Sequence, residues 1–160
     1  MDCLLSSRLV GPTGKVYGLD MTESMVQLAR RNVEDAHVTN VEFLLGSMER
    51  IPLPNESVDV IISNCVINLA ENKDIVLREA YRVLLPGGKF AVSDIVLRRT
   101  LPKEVQKSLD MWTGCIAGAL LESDYIQKLH EVGFKNATVE ETKRYSESDV
   151  YHSKSVLILD

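Results

Sequence analysis

The side chains best suited to chemistry in this chain are two thiols, Cys65 and Cys115, and one acid, Asp20. Thiolate is the soft ligand among protein side chains. Cys65 closes the segment Ser63-Asn64-Cys65, where an apolar run stops and polar groups begin. Cys115 lies in the small, apolar stretch Thr113-Gly114-Cys115-Ile116-Ala117-Gly118-Ala119. A third cysteine, Cys3, sits in the opening helical segment. The count is odd, the spacing wide, and no C-x-x-C occurs, so neither a disulfide framework nor a zinc-finger pattern is present. Taken singly, each cysteine is expected to pack as a small reduced hydrophobe. His37, His130 and His152 fall in surface-like helix or loop contexts. No histidine–carboxylate dyad for general acid–base work is evident.

The element that must position Cys65 is the stretch from Ser57 to Val96. Val58, Val60, Ile61 and Ile62 predict a strand buried on both faces. Asn72 is suited to cap a following helix that carries Ile75, Val76, Glu79, Ala80 and Val83 at helical spacing. Pro86-Gly87-Gly88 breaks that helix, and Lys89 to Leu97 reads as a second strand. This is a βαβ unit, so the two strands are expected to be parallel. In open α/β sheets, ligands bind at the carboxyl ends of strands, where Asn64 and Cys65 stand.

The remaining elements alternate in the same way. Asp2 to Val10 reads as a helix with Leu4, Leu5 and Leu9 on one stripe, ended by Gly11-Pro12-Thr13-Gly14. Lys15 to Asp20 is a short strand ending in the acid. Thr22 is placed to cap a helix from Glu23 to about Glu34, with Met25, Val26, Leu28 and Ala29 inward. Asn40 to Leu45 is a strand, left by Gly46-Ser47-Met48-Glu49. Pro102 suits the first turn of a helix reaching Trp112. Ser123 is expected to cap a helix that Gly133 closes. Ala137–Thr142 and Ser155–Leu159 are strands whose short polar connection suits an antiparallel return. The expected architecture is one α/β domain over residues 1–160. Its sheet is doubly wound and mostly parallel, with a C-terminal antiparallel hairpin.

Bulk composition narrows the partners. The chain has 160 residues, 45% hydrophobic and 26% charged, with a formal net charge of −5. Arg98-Arg99 and Lys143-Arg144 are isolated pairs rather than a basic stripe, which argues against nucleic acid or an anionic membrane surface as partner. No apolar run approaches the roughly 20 residues of a membrane span. Met1 to Leu5 lacks the basic start of a signal peptide, so a cytoplasmic location is expected.

This string of elements resembles class I S-adenosylmethionine-dependent methyltransferases. Asp20, at the end of its strand, matches the acid that in this family accepts both ribose hydroxyls. Met21 matches an apolar residue against adenine. Ser47 and Met48 match the loop that reads the adenine edge, where many members carry Asp in place of Ser47. Tyr81-Arg82-Val83-Leu84 with Pro86-Gly87-Gly88 is similar to the R-x-L-x-P-G-G segment of the family. The segments Ser63-Asn64-Cys65-Val66-Ile67-Asn68-Leu69, Trp112-Thr113-Gly114-Cys115-Ile116-Ala117-Gly118-Ala119-Leu120 and Leu19-Asp20-Met21-Thr22 resemble those of arsenite methyltransferases.

That resemblance implies S-adenosylmethionine as cofactor, held by Asp20, Met21, Ser47, Met48 and Asn64. It implies arsenic(III), as arsenite or its thiol conjugate, as a small-molecule substrate held by Cys65 and Cys115. Arsenic(III) is thiophilic, and its free lone pair can attack a sulfonium methyl without a general base.

One family feature is missing: the central strand and glycine-rich loop that precede the first helix. The expectation is therefore an N-terminally truncated domain with unpaired strand edges, which a strand-swapped homodimer could close, and with weak cofactor binding and little turnover. Two other readings stand beside this one. The chain could be a small-molecule methyltransferase of the quinone-biosynthesis type, or a non-catalytic remnant that binds a soft metal through its thiols.

Overall fold

A computed structural model describes residues 2–100, 118–142 and 156–159. It forms two compact units, Met1–Pro52 and Leu53–Asp160. Cys115, Trp112, His152 and the helix expected after Pro102 lie outside the described residues.

The first unit contains α1 (Asp2–Leu9), β1 (Val16–Asp20), α2 (Glu23–Asp35) and β2 (Val41–Leu45). β1 and β2 pair in parallel, from Val16 opposite Val41 to Asp20 opposite Leu45. Gly18 is required here, because the Phe43 ring stands where a Cβ would project and Cys3 Sγ is 3.0 Å from that point. Cys3 is therefore a packing residue against β1, as expected of a lone cysteine, and burial pushes its thiol pKa up.

Val26 and Val33 are the buried apolar residues of α2. Met25 and Leu28, expected inward, are exposed, because one turn separates Val26 from Val33 twice over and sets the inner stripe. In α1 the buried residue is Ser7, whose hydroxyl donates to the Leu4 carbonyl at 2.8 Å. Leu9 of the expected stripe is 86% exposed and Leu5 is also exposed. Thr22 is the N-cap of α2, but its side chain makes no capping bond.

The second unit contains β3 (Val58–Asn64), a 3-10 turn (Ile67–Leu69), α3 (Lys73–Val83), β4 (Leu84–Ser93), α4 (Glu122–Val132), β5 (Ala137–Glu140) and β6 (Val156–Leu159). The sheet order is β3-β4-β6-β5. β3 and β4 are parallel, joined by α3 as the crossover, and β6 runs antiparallel to both β4 and β5. The βαβ unit and the antiparallel finish therefore form as expected.

The Asn72 side chain accepts the Ile75 N–H at 3.2 Å and caps α3. Val76, Leu77, Ala80 and Val83 are buried, while Ile75 faces solvent. Leu77, wholly buried, is a core residue that the helical pattern missed. Pro86 to Gly88 is accommodated within β4 by a register shift opposite Val58 and Val60, with Gly87 at φ +81°.

Arg82 explains part of the R-x-L-x-P-G-G pattern. Its guanidinium bonds both Glu79 carboxylate oxygens, at 2.7 and 2.8 Å. It also donates to the Leu53 carbonyl and to Asn55 Oδ1, both at 2.9 Å, tying the proline loop to α3.

The core of this unit gathers Leu77, Val83, Phe90, Val92, Tyr125, Leu129 and Phe134. Phe134 stacks on Phe90 at 5.4 Å and meets Tyr81 edge-on at 5.2 Å. α4 starts one residue before Ser123, with Leu121 rather than Ser123 at the cap, and Gly133 closes it.

β3 corrects one expectation. Its residues were expected to be buried on both faces, yet Val60 is 52% and Ile62 60% exposed. Among the described residues β3 pairs only with β4, so it is a sheet edge, and Val60 and Ile62, two residues apart, lie on one exposed face of it. β1 likewise pairs only with β2.

Candidate functional site

Two groups of candidate residues form, one in each unit. In the first unit, Asp20 ends β1 and Gly46 follows β2. The Gly46 N–H donates to the Asp20 carbonyl at 3.0 Å, so the two strand exits lie side by side. Asp20 Oδ1 accepts the Thr22 N–H at 2.8 Å. This fixes the carboxylate just ahead of α2, in a turn onto its N-cap residue. A carboxylate has further acceptor sites beyond one such bond, enough for vicinal hydroxyls. Met21 is 76% exposed beside it, an apolar side chain open to a planar ring.

Ser47 Oγ accepts the Glu49 N–H at 3.2 Å, and Ser47 bridges to Arg50, so the loop carrying Met48 is closed and ordered. Asp20, Met21, Ser47 and Met48 thus share the carboxyl end of one parallel pair, where such sheets bind nucleotides. This acceptor and apolar set fits the nucleoside half of S-adenosylmethionine. A cavity of about 530 Å³ in this unit lies elsewhere, along β2 and α2, lined by Arg30, Val33, Phe43, Leu45 and Pro52. The candidate residues stand at the strand ends rather than in that groove.

In the second unit, Asn64 ends β3 opposite Ser93, and Cys65 follows at φ +56°. A left-handed backbone costs a side-chain-bearing residue about 1–2 kcal/mol and persists only where its surroundings impose it. Cys65 N–H donates to the Ser93 carbonyl at 2.7 Å. The chain then turns through Val66 into the 3-10 turn, and the Cys65 side chain is half-buried.

Behind this turn lies a buried polar cluster that sequence patterns did not single out. Asp94 Oδ2 accepts the Asn68 N–H at 3.2 Å, and Asn68 Nδ2 donates to the Ile95 carbonyl at 2.8 Å. Tyr125 of α4 is buried in the same core. Among the described residues, Asp94 Oδ1 and Tyr125 Oη have no hydrogen-bond partner.

Burial pushes the Asp94 pKa up to about 7, against the lowering effect of the Asn68 and Ile95 amides and of Lys73. Lys73, which donates to the Ala70 carbonyl at 3.0 Å, has its pKa lowered by burial, with Asp94 opposing. Burial, then Asp94, raises that of Tyr125. The signal that could have found this cluster is an acid, Asp94, inside the apolar run Ala91-Val92-Ser93-Asp94-Ile95-Val96.

Cys115 lies outside the described residues. The chain resumes at Gly118, and Leu120 and Glu122 bond the Leu97 backbone at 2.8 and 2.9 Å beyond the exit of β4. Among the described residues no cluster of three His, Cys, Asp or Glu could hold a metal ion. No described helix is long and apolar enough to cross a membrane.

Comparison with known proteins places the chain among methyltransferases. Residues 2–153 match a methyltransferase domain family. An arsenite methyltransferase of Halobacterium salinarum is 48% identical over 134 residues, covering 84% of this chain and 34% of that protein. The solved arsenic(III) S-adenosylmethionine methyltransferase of Chlamydomonas reinhardtii superposes with a TM-score of 0.81 at 34% identity, covering 99% of this chain and 58% of that one. A demethylmenaquinone methyltransferase of Listeria welshimeri is 36% identical over 91 residues, 57% of this chain and 39% of that protein. The chain thus spans about a third of the Halobacterium relative. With a mixed α/β fold, parallel strand pairs and an acid closing β1, it belongs to this methyltransferase domain family, and it is similar to arsenite methyltransferases over the part of them that it spans.

Proposed function

We propose that this chain serves S-adenosylmethionine-dependent methyl transfer to thiol-bound arsenic(III). The observation that carries the reading is Cys65, a half-buried thiol held in a left-handed conformation at the carboxyl end of β3, in a chain similar to arsenite methyltransferases. Cys65 and Cys115 bind the arsenic as thiolates, which leaves its lone pair free. Asp20 accepts hydrogen bonds from the ribose hydroxyls, Met21 and Met48 pack on adenine, Ser47 accepts from its edge, and Asn64 borders the methyl-bearing end. S-adenosylmethionine, when bound, supplies an electrophilic methyl group. The residues contribute proximity and orientation, with no general base needed. The chain acts in the cytoplasm, on a small molecule and without nucleic acid or membrane.

Titration of the chain with arsenite, followed by Trp112 fluorescence, tests this reading. Cys65→Ser and Cys115→Ser are each expected to abolish arsenite binding, and Asp20→Ala to weaken S-adenosylmethionine binding. Similarity to the demethylmenaquinone methyltransferase favours a second reading, methylation of a quinone-like small molecule. Under that reading both serine variants retain methyl transfer.

A further inference from the structure

A left-handed Cys65 needs something outside its own loop to hold it. Three consecutive residues leaving β4 do so. The Ser93 carbonyl accepts from Cys65 N–H at 2.7 Å. The Asp94 carboxylate accepts from Asn68 N–H at 3.2 Å, and the Ile95 carbonyl from Asn68 Nδ2 at 2.8 Å. The segment Cys65 to Asn68 is therefore fastened at both ends to one strand exit, with the thiol between the fastenings. Asn68 and Asp94 are 0% and 2% exposed. A buried carboxyl is a poor choice for stability alone, since apolar groups of similar size serve a core better. Its advantage is that it specifies one arrangement of the polar loop above it.

We propose that Asn68 and Asp94 are positioning residues that hold the Cys65 thiol in the orientation needed for arsenic(III) chelation. The proposal rests on the reading of Cys65 as an arsenic ligand. Asn68 and Asp94 touch neither arsenic nor cofactor and act through the backbone that follows Cys65, with the Ser93 carbonyl fixing the Cys65 amide. Chelation by two thiols depends on where both sulfurs stand, whereas alkylation of one thiol depends only on access. The two measurements therefore separate positioning from simple support of the fold.

The test uses the full chain, with arsenite as probe in calorimetric titration and iodoacetamide alkylation of Cys65 followed by mass spectrometry. All measurements are made at a temperature where circular dichroism shows each variant folded. Asn68→Ala and Asp94→Ala are expected to weaken arsenite binding about tenfold. Alkylation of Cys65 stays as fast or becomes faster. Asp94→Asn keeps an oxygen acceptor for the Asn68 amide and is expected to stay within about threefold of the parent chain. Where an alanine variant does not fold, amide hydrogen exchange of the parent chain decides instead. The Cys65 and Asn68 amides are expected to gain protection when arsenite is added. Unchanged affinity in Asp94→Ala, or no gain in protection, overturns the positioning role. If Cys65→Ser binds arsenite like the parent, the arsenic reading itself falls, and the positioning role with it.

Discussion

Replacing Cys65 by a graded series of residues separates its stability from its chemistry. At φ +56° any residue with a Cβ pays a steric cost of about 1–2 kcal/mol that glycine does not. At an ordinary position alanine is better than glycine by roughly 0.5–1 kcal/mol, because glycine loses more conformational freedom on folding. The two effects oppose each other, and the steric cost is the larger. Cys65→Gly is therefore expected to exceed Cys65→Ala in stability by about 1 kcal/mol, with Cys65→Asn between them, since asparagine tolerates the left-handed region. With a urea slope of roughly 1–3 kcal/mol per molar, the glycine midpoint lies above the alanine midpoint by about 0.3–1 M. All three variants lack the thiol and are expected to lose arsenite binding alike, so affinity and stability are uncoupled within the series. Urea unfolding followed by far-ultraviolet circular dichroism reads the order. An alanine variant as stable as the glycine variant, or more so, refutes the left-handed assignment and with it the argument that this loop is held under strain.

Two further perturbations follow from the structure. The Asp94 carboxyl, raised from 3.8 to about 7, keeps its proton in the folded chain over a range where the unfolded chain has released it. The folded state then binds more protons, so the Asp94 contribution is fully favourable below about pH 4, declines as pH rises to 7, and costs roughly 4 kcal/mol above that. Asp94→Asn is expected to remove this decline, seen as the difference between parent and variant unfolding free energies across pH 4 to 8. Asn72→Ala is expected to cost about 1 kcal/mol through loss of the α3 cap. Thr22→Ala is expected to be nearly neutral, because the Thr22 hydroxyl makes no capping bond, and parallel urea titrations distinguish the two.

What the sequence made legible is what is encoded locally. The Val58–Ile62 run and the Asn72 cap each act within a few residues and yield β3 and α3, whereas Pro86-Gly87-Gly88, read as the break, lies within β4, which already begins at Leu84. The strand-terminal positions of Asp20 and Cys65 follow from the same run ends. Burial was less legible because it depends on distant partners. An apolar run does not say how many neighbours its strand has, so Val60 and Ile62 read as core although they are open. Leu77 and Tyr125 were missed because each is buried by elements that come together only in the fold. Asp94 was missed for a related reason: an acid inside a strand pattern reads as its solvent-facing end until Asn68, from another segment, is seen to bond it. The cap of α4 is Leu121, two residues before the expected Ser123, since helix ends set by tertiary packing need no side-chain cap.

The open edge of β3 bears on how this chain behaves in bulk solution. Among the described residues β3 has no strand on its second side, and with Val60 and Ile62 exposed such an edge is a template for further strands. Asp59 is the only charge on β3 to oppose such growth. Turbidity is expected to rise with protein concentration and with salt, which screens Asp59 while leaving the apolar face untouched. A charge placed at Ile62 is the most economical way to keep the chain dispersed.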